Sequence, residues 1–380
     1  MPQKLQVYLD NNATTPMDPR VLDTMLPYFK EKFGNAASRN HVFGWQAEEA
    51  VQQAREQVAN LTGARSREIV FTSGATEANN LAIKGVAEAY YKKGNHIITC
   101  LTEHKAVLDP IRSLGESGFR LTHLSVNSEG LINLDELADA ITDQTILICI
   151  MYANNETGVI QPIKEIAQLA KRNETLLMTD ATQAVGKIPI NVRNSGIDMM
   201  SFSAHKFYGP KGAGGLFVRD SVQLSAQLEG GGHERGVRSG TLNVPGIVGM
   251  GKACELAQQE MKVDEQKLRA LRDQLETSLL KIPETSRNGS LEDRLSHVTN
   301  ISFHRVDGER LLLSLNDIAV SQGSACTSAT LEPSHVLKSM GVSDELAHSS
   351  IRFGLGRFTT REEIEYTIQR VTEVVNQLRD

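Results

Sequence analysis

The chain has 380 residues, 40% of them hydrophobic, and a formal net charge of −6 at pH 7. This length and apolar content predict a large α/β unit with a full core and a second, smaller unit. The negative charge argues against nucleic acid as a partner, and no apolar stretch is long enough to cross a bilayer. The four cysteines are poorly placed for pairing, and no leader pattern precedes the first strand, which predicts a cytoplasmic protein.

The first motif along the chain combines a short apolar strand, predicted over 69–71, with a helix that begins at Ala75. The free amide groups and positive dipole of such a helix start bind anions, and Thr76 adds a hydroxyl, so the segment predicts a phosphate site. The alternative is an ordinary capping box with Ser73 or Thr72 as the cap and Glu77 in the first turn. The segment alone leaves both open.

Two further strands each end in a polar residue. His104 follows the strand predicted over 96–100, and Asn155 follows the strand predicted over 146–150. The carboxyl ends of parallel strands meet at one edge of a sheet, which is where open α/β sheets bind ligands. An imidazole there could stack on a cofactor ring and exchange protons with substrate. A helix-capping or exposed histidine is the alternative.

The next two strands, predicted over 175–179 and 199–202, end in the residues most typical of a cofactor site. Asp180 and Gln183 follow the first, and Ser203, His205 and Lys206 follow the second. Taken singly, a lysine is usually a surface residue and a carboxylate after a strand is often a helix cap. Together they supply what pyridoxal phosphate requires, namely an amine for the imine, an anion beside the pyridine nitrogen and donors for the phosphate.

The C-terminal part of the chain has a different pattern. A charged amphipathic helix predicted over 263–280 is followed by strands over 298–303 and 318–320 and by a closing helix from Glu362. This order favours a smaller α+β unit. We therefore predict a large cofactor-binding domain over 16–260 and a small domain formed by 1–15 and 261–380.

Cys326 lies in a stretch, 321–333, that is built almost wholly from small residues and has no apolar anchor before Leu331. We expect a mobile, exposed loop there, with Cys326 as an accessible thiol. Cys100, Cys149 and Cys254 lie in apolar strand or helix patterns and are expected to be buried. No pair of cysteines has the spacing of a metal site, so no metal is predicted. An incidental surface thiol is the alternative for Cys326.

Eight motifs follow one another along almost the whole chain. They are Leu9 to Pro16, Gly74 to Asn80, Glu103 to Lys105, Asn154 to Gly158, Asp180 to Gln183, Ser203 to Lys206, Gly236 to Thr241 and Gly323 to Ser328. In this order they resemble the cysteine desulfurases of the NifS and IscS type. These belong to the aminotransferase class V group of fold-type I pyridoxal phosphate enzymes, so the resemblance implies a mostly parallel seven-stranded sheet and a smaller α+β domain.

The resemblance also implies roles for single residues. Lys206 would carry the cofactor and remove the α-proton of the substrate, Asp180 would pair with the pyridine nitrogen, and His104 would stack on the ring. Gln183 would contact the phenolic oxygen. The phosphate would be held by Ala75, Thr76, Ser203 and His205, and by Thr241 from the second subunit of a homodimer. Asn155 and Arg352 would bind the substrate carboxylate, with Asn11 nearby.

The implied activity converts L-cysteine to L-alanine and transfers the sulfur to Cys326 as a persulfide. The sulfur would then pass to a protein acceptor such as an iron-sulfur scaffold. The nitrogen-fixation and housekeeping subtypes both remain open. So do three alternatives: a selenocysteine lyase or aminotransferase of the same class, a non-catalytic sulfur acceptor or partner-binding protein, and a nucleotide-binding Rossmann protein. The last lacks the Gly-x-Gly-x-x-Gly turn that it would need after the first strand.

Overall fold

The structure is a computed structural model that describes residues 6–322 and 333–380. Its strands are β1 Val7–Tyr8, β2 Ile69–Thr72, β3 His96–Cys100, β4 Arg120–Leu124, β5 Thr145–Cys149, β6 Leu176–Asp180, β7 Met199–Ser203, β8 Gly214–Val218, β9 Thr285–Asn288, β10 Val298–Phe303, β11 Ile318–Ala319 and β12 Ser350–Gly354. Its α-helices are α1 Pro19–Met25, α2 Pro27–Lys30, α3 Val42–Thr62, α4 Ala75–Ala89, α5 Lys105–Glu116, α6 Leu134–Ala140, α7 Ile163–Arg172, α8 Val192–Ser195, α9 Val244–Leu279, α10 Gly308–Ser314, α11 His335–Ser339, α12 Asp344–His348 and α13 Arg361–Arg379.

The central sheet has seven strands in the order β2-β8-β7-β6-β5-β3-β4. Strands β4, β3, β5, β6 and β7 are mutually parallel, whereas β8 runs antiparallel to both β7 and β2. Strands β3, β5 and β7 are buried along their whole length, because helices cover both faces of the sheet. The predicted α/β fold with a mostly parallel sheet is confirmed.

The C-terminal part of the chain builds two smaller sheets around a hydrophobic cluster of its own. Strands β12, β10 and β9 form an antiparallel sheet, and β1 pairs in parallel with β11. The cluster joins Val7 and Leu9 to apolar residues of α9, β10, β12 and α13. The first strand of the chain thus packs beside elements that follow it by about 300 residues, as the register of Val7 with Ile318 shows.

Helix α9 is longer than predicted. It has 36 residues and starts at Val244 rather than at the predicted position 263. Three glycines in its first turns weaken the helical pattern in the sequence, since glycine has a low helix propensity. They are required by close packing: a Cβ at Gly249 would lie 2.5 Å from Met25 Sδ, and one at Gly251 would lie 2.7 Å from Ala54 Cα. Helix α9 therefore packs tightly on α1 and α3.

The division at residue 260 falls within helix α9. Residues of α9 up to Ala257 pack in the cluster that lines one face of the central sheet, whereas those from Leu268 pack in the C-terminal cluster. This partition supports the division into 16–260 and 1–15 with 261–380, which remains a proposal. Within the described ranges, no helix is long and apolar enough to cross a membrane, and no group of metal-ligating side chains is found.

Candidate active site

A cavity of about 450 Å³ opens where the carboxyl ends of β3, β5, β6 and β7 meet the start of α4. It brings together most of the residues that the sequence predicts for the site. These are Ala75, Thr76, His104, Asn155, Asp180, Gln183, Ser203, His205, Lys206 and Arg352. The sheet topology explains their convergence, because parallel strands place the residues that follow them at one edge.

Lys206 ends a short 3₁₀ turn, Ala204–Lys206, that follows β7 directly. Its Nζ donates to the carbonyl oxygens of Asn12 and Ala13, at 2.6 and 2.7 Å. The amine therefore lies inside the cavity and is oriented by two acceptors of the N-terminal segment. This is the placement that a cofactor-binding lysine requires.

Asp180 is the last residue of β6 and is 7% exposed. Its Oδ2 accepts a hydrogen bond from Asn79 Nδ2 at 2.8 Å, and its Oδ1 accepts one from the backbone amide of Thr182 at 2.9 Å. A carboxylate fixed in this way cannot rotate freely. It can hold a protonated ring nitrogen in a constant position.

His104 has both of the properties that the sequence left as alternatives, because it lines the cavity and also caps α5. Its Nδ1 accepts a hydrogen bond from the amide of Ala106 at 3.0 Å. Burial lowers the pKa of His104 below its usual value, which favours the neutral ring. The neutral ring then carries its proton on Nε2, where it is available as a donor.

The predicted capping box at the start of α4 is only half formed. The carboxylate of Glu77 accepts the amide of Ser73 at 2.7 Å, but Gly74 holds the cap position and no side chain among the described residues caps it. Thr72 Oγ1 instead donates to the carbonyl of Gly74. The first amide groups of α4 thus remain available for an anion in the cavity.

The backbone and two side chains complete this anion site. A Cβ at Gly214 would lie 2.5 Å from Gly74 Cα, so strand β8 needs a glycine to pass so close to the helix start. Ser203 and His205 also line the cavity, and His205 Nδ1 lies 3.1 Å from Thr14 Oγ1. Burial lowers the pKa of His205 to about 4, so the ring is neutral at pH 7.

Gln183 provides a direct test of whether pyridoxal phosphate fits. Its Nε2 donates to the carbonyl of Asn12 at 3.0 Å, whereas its Oε1 is buried and has no partner among the described residues. An unpaired buried acceptor is costly, and a ligand hydroxyl such as the phenol of pyridoxal phosphate would satisfy it. With an amine, a fixed carboxylate, an imidazole and a helix start in one cavity, the residues fit this cofactor.

Arg352 and Asn155 line the same cavity and contact each other. The guanidinium of Arg352 donates from Nη1 to the backbone carbonyl of Asn155 at 3.0 Å and forms an ion pair with Asp10, with 2.6 Å between Nη2 and Oδ1. Only 1% of the Arg352 side chain is exposed. A planar cation at this wall suits a substrate carboxylate.

Two predicted residues do not line the cavity. The Nδ2 of Asn11 donates to the carbonyl of Gly354 at 2.9 Å, whereas its neighbours Asn12 and Ala13 reach the cavity. Thr241 is exposed and lies just before α9, outside the cavity of its own chain. Its contact with the cofactor of a second subunit stays a prediction.

No individual role was predicted for four residues that the structure places at the site or in contact with it, although they lie in the motifs Leu9 to Pro16 and Gly74 to Asn80. These are Asp10, Asn12, Ala13 and Asn79. A polar run that follows the apolar residues 7–9 was the available signal for the first three. Their contacts with Lys206 and Arg352 join residues at least 193 positions apart, which no local pattern reveals. Asn79 lies in the segment predicted to bind phosphate, but its hydrogen bond to Asp180 was not predicted.

Cys326 lies outside the described residues, and its role stays a prediction. The residues on either side of the undescribed segment contact the site. Ser321 exchanges backbone hydrogen bonds with Arg352, and His335 Nε2 lies 3.0 Å from the carbonyl oxygen of Glu103. The predicted burial of Cys100, Cys149 and Cys254 is confirmed.

Comparison with known proteins agrees with this geometry. The aminotransferase class-V profile matches residues 7–367. A cysteine desulfurase IscS of Pasteurella multocida (strain Pm70) is 57% identical over 381 aligned residues, covering 99% of this chain and 94% of the relative. A solved structure of a NifS-like protein superposes with a TM-score of 0.93 at 40% identity, covering 98% of this chain and all of the other. The solved structure "SspA in complex with cysteine" superposes with a TM-score of 0.82 at 37% identity, covering 93% of this chain and all of the other.

The fold and the cavity define a fold-type I pyridoxal phosphate enzyme. The match over 7–367 and the full-length relatives place it more narrowly: the chain belongs to the aminotransferase class-V family and, within that family, is similar to the NifS and IscS proteins. The predicted family, fold class and cofactor are confirmed.

Proposed function

We propose that this enzyme takes sulfur from L-cysteine, releases L-alanine and holds the sulfur on Cys326 as a persulfide. The cysteine desulfurase class of the activity is confirmed by the full-length relatives. The observation that carries the residue-level proposal is the meeting of Lys206, Asp180, His104 and Arg352 in one cavity. These supply an amine, an anion, a proton donor and a carboxylate site.

Pyridoxal phosphate, when bound, supplies an electron sink for the bonds at the substrate α-carbon. Asp180 would hold its ring nitrogen, Gln183 its phenolic oxygen, and the start of α4 with Ser203 and His205 its phosphate. Arg352 binds the substrate carboxylate and so orients the α-carbon. The Nζ of Lys206 then takes the α-proton, because this amine lies in the cavity and is oriented there by the carbonyls of Asn12 and Ala13.

The sulfur transfer is balanced without an external oxidant. The thiolate of Cys326 forms an S–S bond to the substrate sulfur as the Cβ–S bond breaks, and the electron pair of that bond stays with the Cβ fragment. Protonation of this fragment at Cβ gives alanine, and Cys326 is left with one additional sulfur. The Nε2–H of His104 offers a donor for this protonation.

We further propose a homodimer that delivers sulfur to a protein acceptor for iron-sulfur cluster assembly. Thr241 is exposed rather than directed into its own cavity, which supports a contact made across two subunits. Large apolar side chains are also exposed near the N-terminal helices, and exposed apolar patches are typical of protein interaction sites. These are Leu22, Leu26, Phe29, Phe33, Val42, Phe43 and Trp45.

We propose a cytoplasmic location, in keeping with the sequence prediction. Cys100, Cys149 and Cys254 are buried thiols, and burial raises the pKa of each, which keeps them protonated and unreactive. A chain with reduced cysteines suits a reducing compartment.

The experiment that tests the function is a desulfuration assay on the wild type and Cys326→Ala, with alanine and sulfide measured in the same tube. The wild type is expected to produce both in the presence of a thiol reductant. Cys326→Ala is expected to keep the visible band of the cofactor but to lose sulfide release. Cys254→Ala removes a buried thiol of α9 and serves as the matched control. Normal sulfide release by Cys326→Ala would overturn the assignment of Cys326.

A further inference from the structure

The guanidinium of Arg352 is held in place before any substrate is bound. Its Nη2 lies 2.6 Å from Asp10 Oδ1, and its Nη1 donates to the carbonyl of Asn155 at 3.0 Å. Two acceptors on different nitrogens fix both the position and the plane of the group. The remaining N–H groups, including the buried Nε that has no partner among the described residues, stay available.

Asp10 itself is fixed by backbone pairing with the strand that carries Arg352. The amide of Asn11 donates to the carbonyl of Gly354 at 3.0 Å, and the amide of Gly354 donates to the carbonyl of Leu9 at 2.7 Å. A side chain at Gly354 would prevent this approach, since its Cβ would lie 2.3 Å from Asn12 Oδ1. The carboxylate of Asp10 therefore has a defined position relative to β12.

Asp10 is also the group that balances the charge of Arg352. Glu156 also lies near this guanidinium, but its carboxyl accepts the hydroxyl of Ser334. Burial raises the pKa of Glu156 above its usual value, which favours its neutral form. A buried guanidinium without a counter-ion is unfavourable, so Asp10 stabilises Arg352 in the cavity wall. The second oxygen of Asp10 accepts Ser321 Oγ at 3.5 Å.

We propose that Asp10 is a positioning residue that sets the orientation of Arg352 for the substrate carboxylate. This inference rests on the proposed function and adds a residue that acts through Arg352 rather than on the reacting atoms. A preoriented guanidinium binds a carboxylate without first paying to order its side chain. Asp10 thereby raises affinity for amino acids that carry an α-carboxylate and leaves the affinity for simple amines unchanged.

Asp10→Asn is the direct test, because it keeps the size of the side chain and removes its charge. We expect the KM for L-cysteine to rise about 10-fold while kcat changes less than about 3-fold, since a charge-assisted hydrogen bond is replaced by a neutral one. The Kd for L-alanine, measured from the visible absorbance of the cofactor-loaded protein, is expected to rise by the same factor. The Kd for cysteamine, which has the amine and thiol but no carboxylate, is expected to stay constant.

Two controls separate this role from general damage. Asp220→Asn removes a carboxylate from another ion pair, with Arg65 and Arg67, which does not line the cavity, and is expected to leave all four constants unchanged. Asp10→Glu is the second variant, for the case that Asp10→Asn does not fold. It displaces the carboxylate by one methylene and is expected to raise the Kd for L-alanine about 3-fold or more, again without a change in the Kd for cysteamine.

The proposal is overturned if L-alanine binds the folded Asp10 variant as tightly as the wild type. It is also overturned if the affinities for L-alanine and cysteamine fall equally, since that result means that the substitution has distorted the cavity. Failure of the proposed function is distinguishable, because it shows in the wild type as no alanine formed from L-cysteine. The Asp10 result depends only on the variant compared with that wild type.

Discussion

The residues proposed to hold the cofactor, here called the cofactor side, and those proposed to bind the substrate carboxylate, here called the substrate side, are held in place in different ways. The cofactor side includes residues at or just after the ends of strands of the central sheet, such as Asp180 at the end of β6 and Lys206 in the turn that follows β7. The substrate side joins Arg352 on β12 to Asp10 near the N-terminus, 342 positions away. The cofactor side is therefore set by local sequence and the topology of one sheet, whereas the substrate side depends on a pairing between the two ends of the chain.

The largest expected effect is on the cofactor side. Lys206→Ala removes the amine that would bind the cofactor and take the α-proton, so turnover of L-cysteine is expected to fall at least about 1,000-fold. Alanine formation under saturating cofactor measures this loss. Lys164→Ala, at an exposed position on α7, is the matched control and should retain wild-type turnover. Substantial turnover by Lys206→Ala would mean that another group is the base.

The next effect concerns a buried ion pair beside β2, the strand that precedes the start of α4 on the cofactor side. Glu234 bonds Arg55 through both carboxylate oxygens, at 2.7 and 2.8 Å, and also accepts the amide of Phe71 in β2. Both ion-pair side chains are at most 5% exposed. Glu234→Gln leaves Arg55 buried without a counter-ion, and we expect the free energy of unfolding to fall by about 3 kcal/mol in urea denaturation.

The ion pair lies in an unusual segment of backbone, because Glu234 and Arg235 both have positive φ angles, of 46° and 59°. Two such residues in sequence are strained and persist only where the surroundings enforce them. Asp220→Asn, at an exposed ion pair, is expected to leave unfolding unchanged. Equal effects of the two variants would contradict a structural role for the buried pair.

The smallest expected effect is a pH dependence. The pKa of His205 is about 4 in the folded chain because the ring is buried, against a usual value of 6.5. Between these values the unfolded chain binds a proton that the folded chain does not, so this contribution to stability is complete above pH 6.5 and is lost as the pH falls toward 4. His205→Gln is expected to make the decline in unfolding free energy shallower over this range. The exposed His123→Gln should reproduce the wild-type slope, and a His205→Gln slope equal to it would contradict the assignment.

The contrast between the two sides also explains what could be predicted from sequence. Asp180, Gln183 and Lys206 were identifiable because strand, turn and functional residue lie within a few positions of one another. The start of α4 at Ala75 was predicted for the same reason. Asp10 and Asn12 were not identified, because their roles arise from the alignment of residues 9–12 with Gly354. Such long-range pairing has no signature in either segment alone.

Helix α9 illustrates the same limit within the fold. Gly249 and Gly251 weaken the helical pattern, yet the close packing of α9 on α1 and α3 requires them. Tertiary packing thus overrides local propensity. Thr241 is a further case, since its proposed role belongs to a second chain and no contact within one chain reveals it.

The central claim, that the cavity has separate cofactor and substrate sides, is tested most directly by measuring two affinities in two variants. The affinities are those for pyridoxal phosphate in the apoprotein and for L-alanine in the loaded protein, and the variants are Asp180→Asn and Arg352→Lys. We expect Arg352→Lys to bind the cofactor like the wild type but L-alanine at least about 10-fold more weakly, because a lysine cannot form a bidentate pair. Asp180→Asn is expected to lower the affinity for pyridoxal phosphate. Loss of cofactor affinity in Arg352→Lys to the same degree as in Asp180→Asn would contradict the division of the site into two sides.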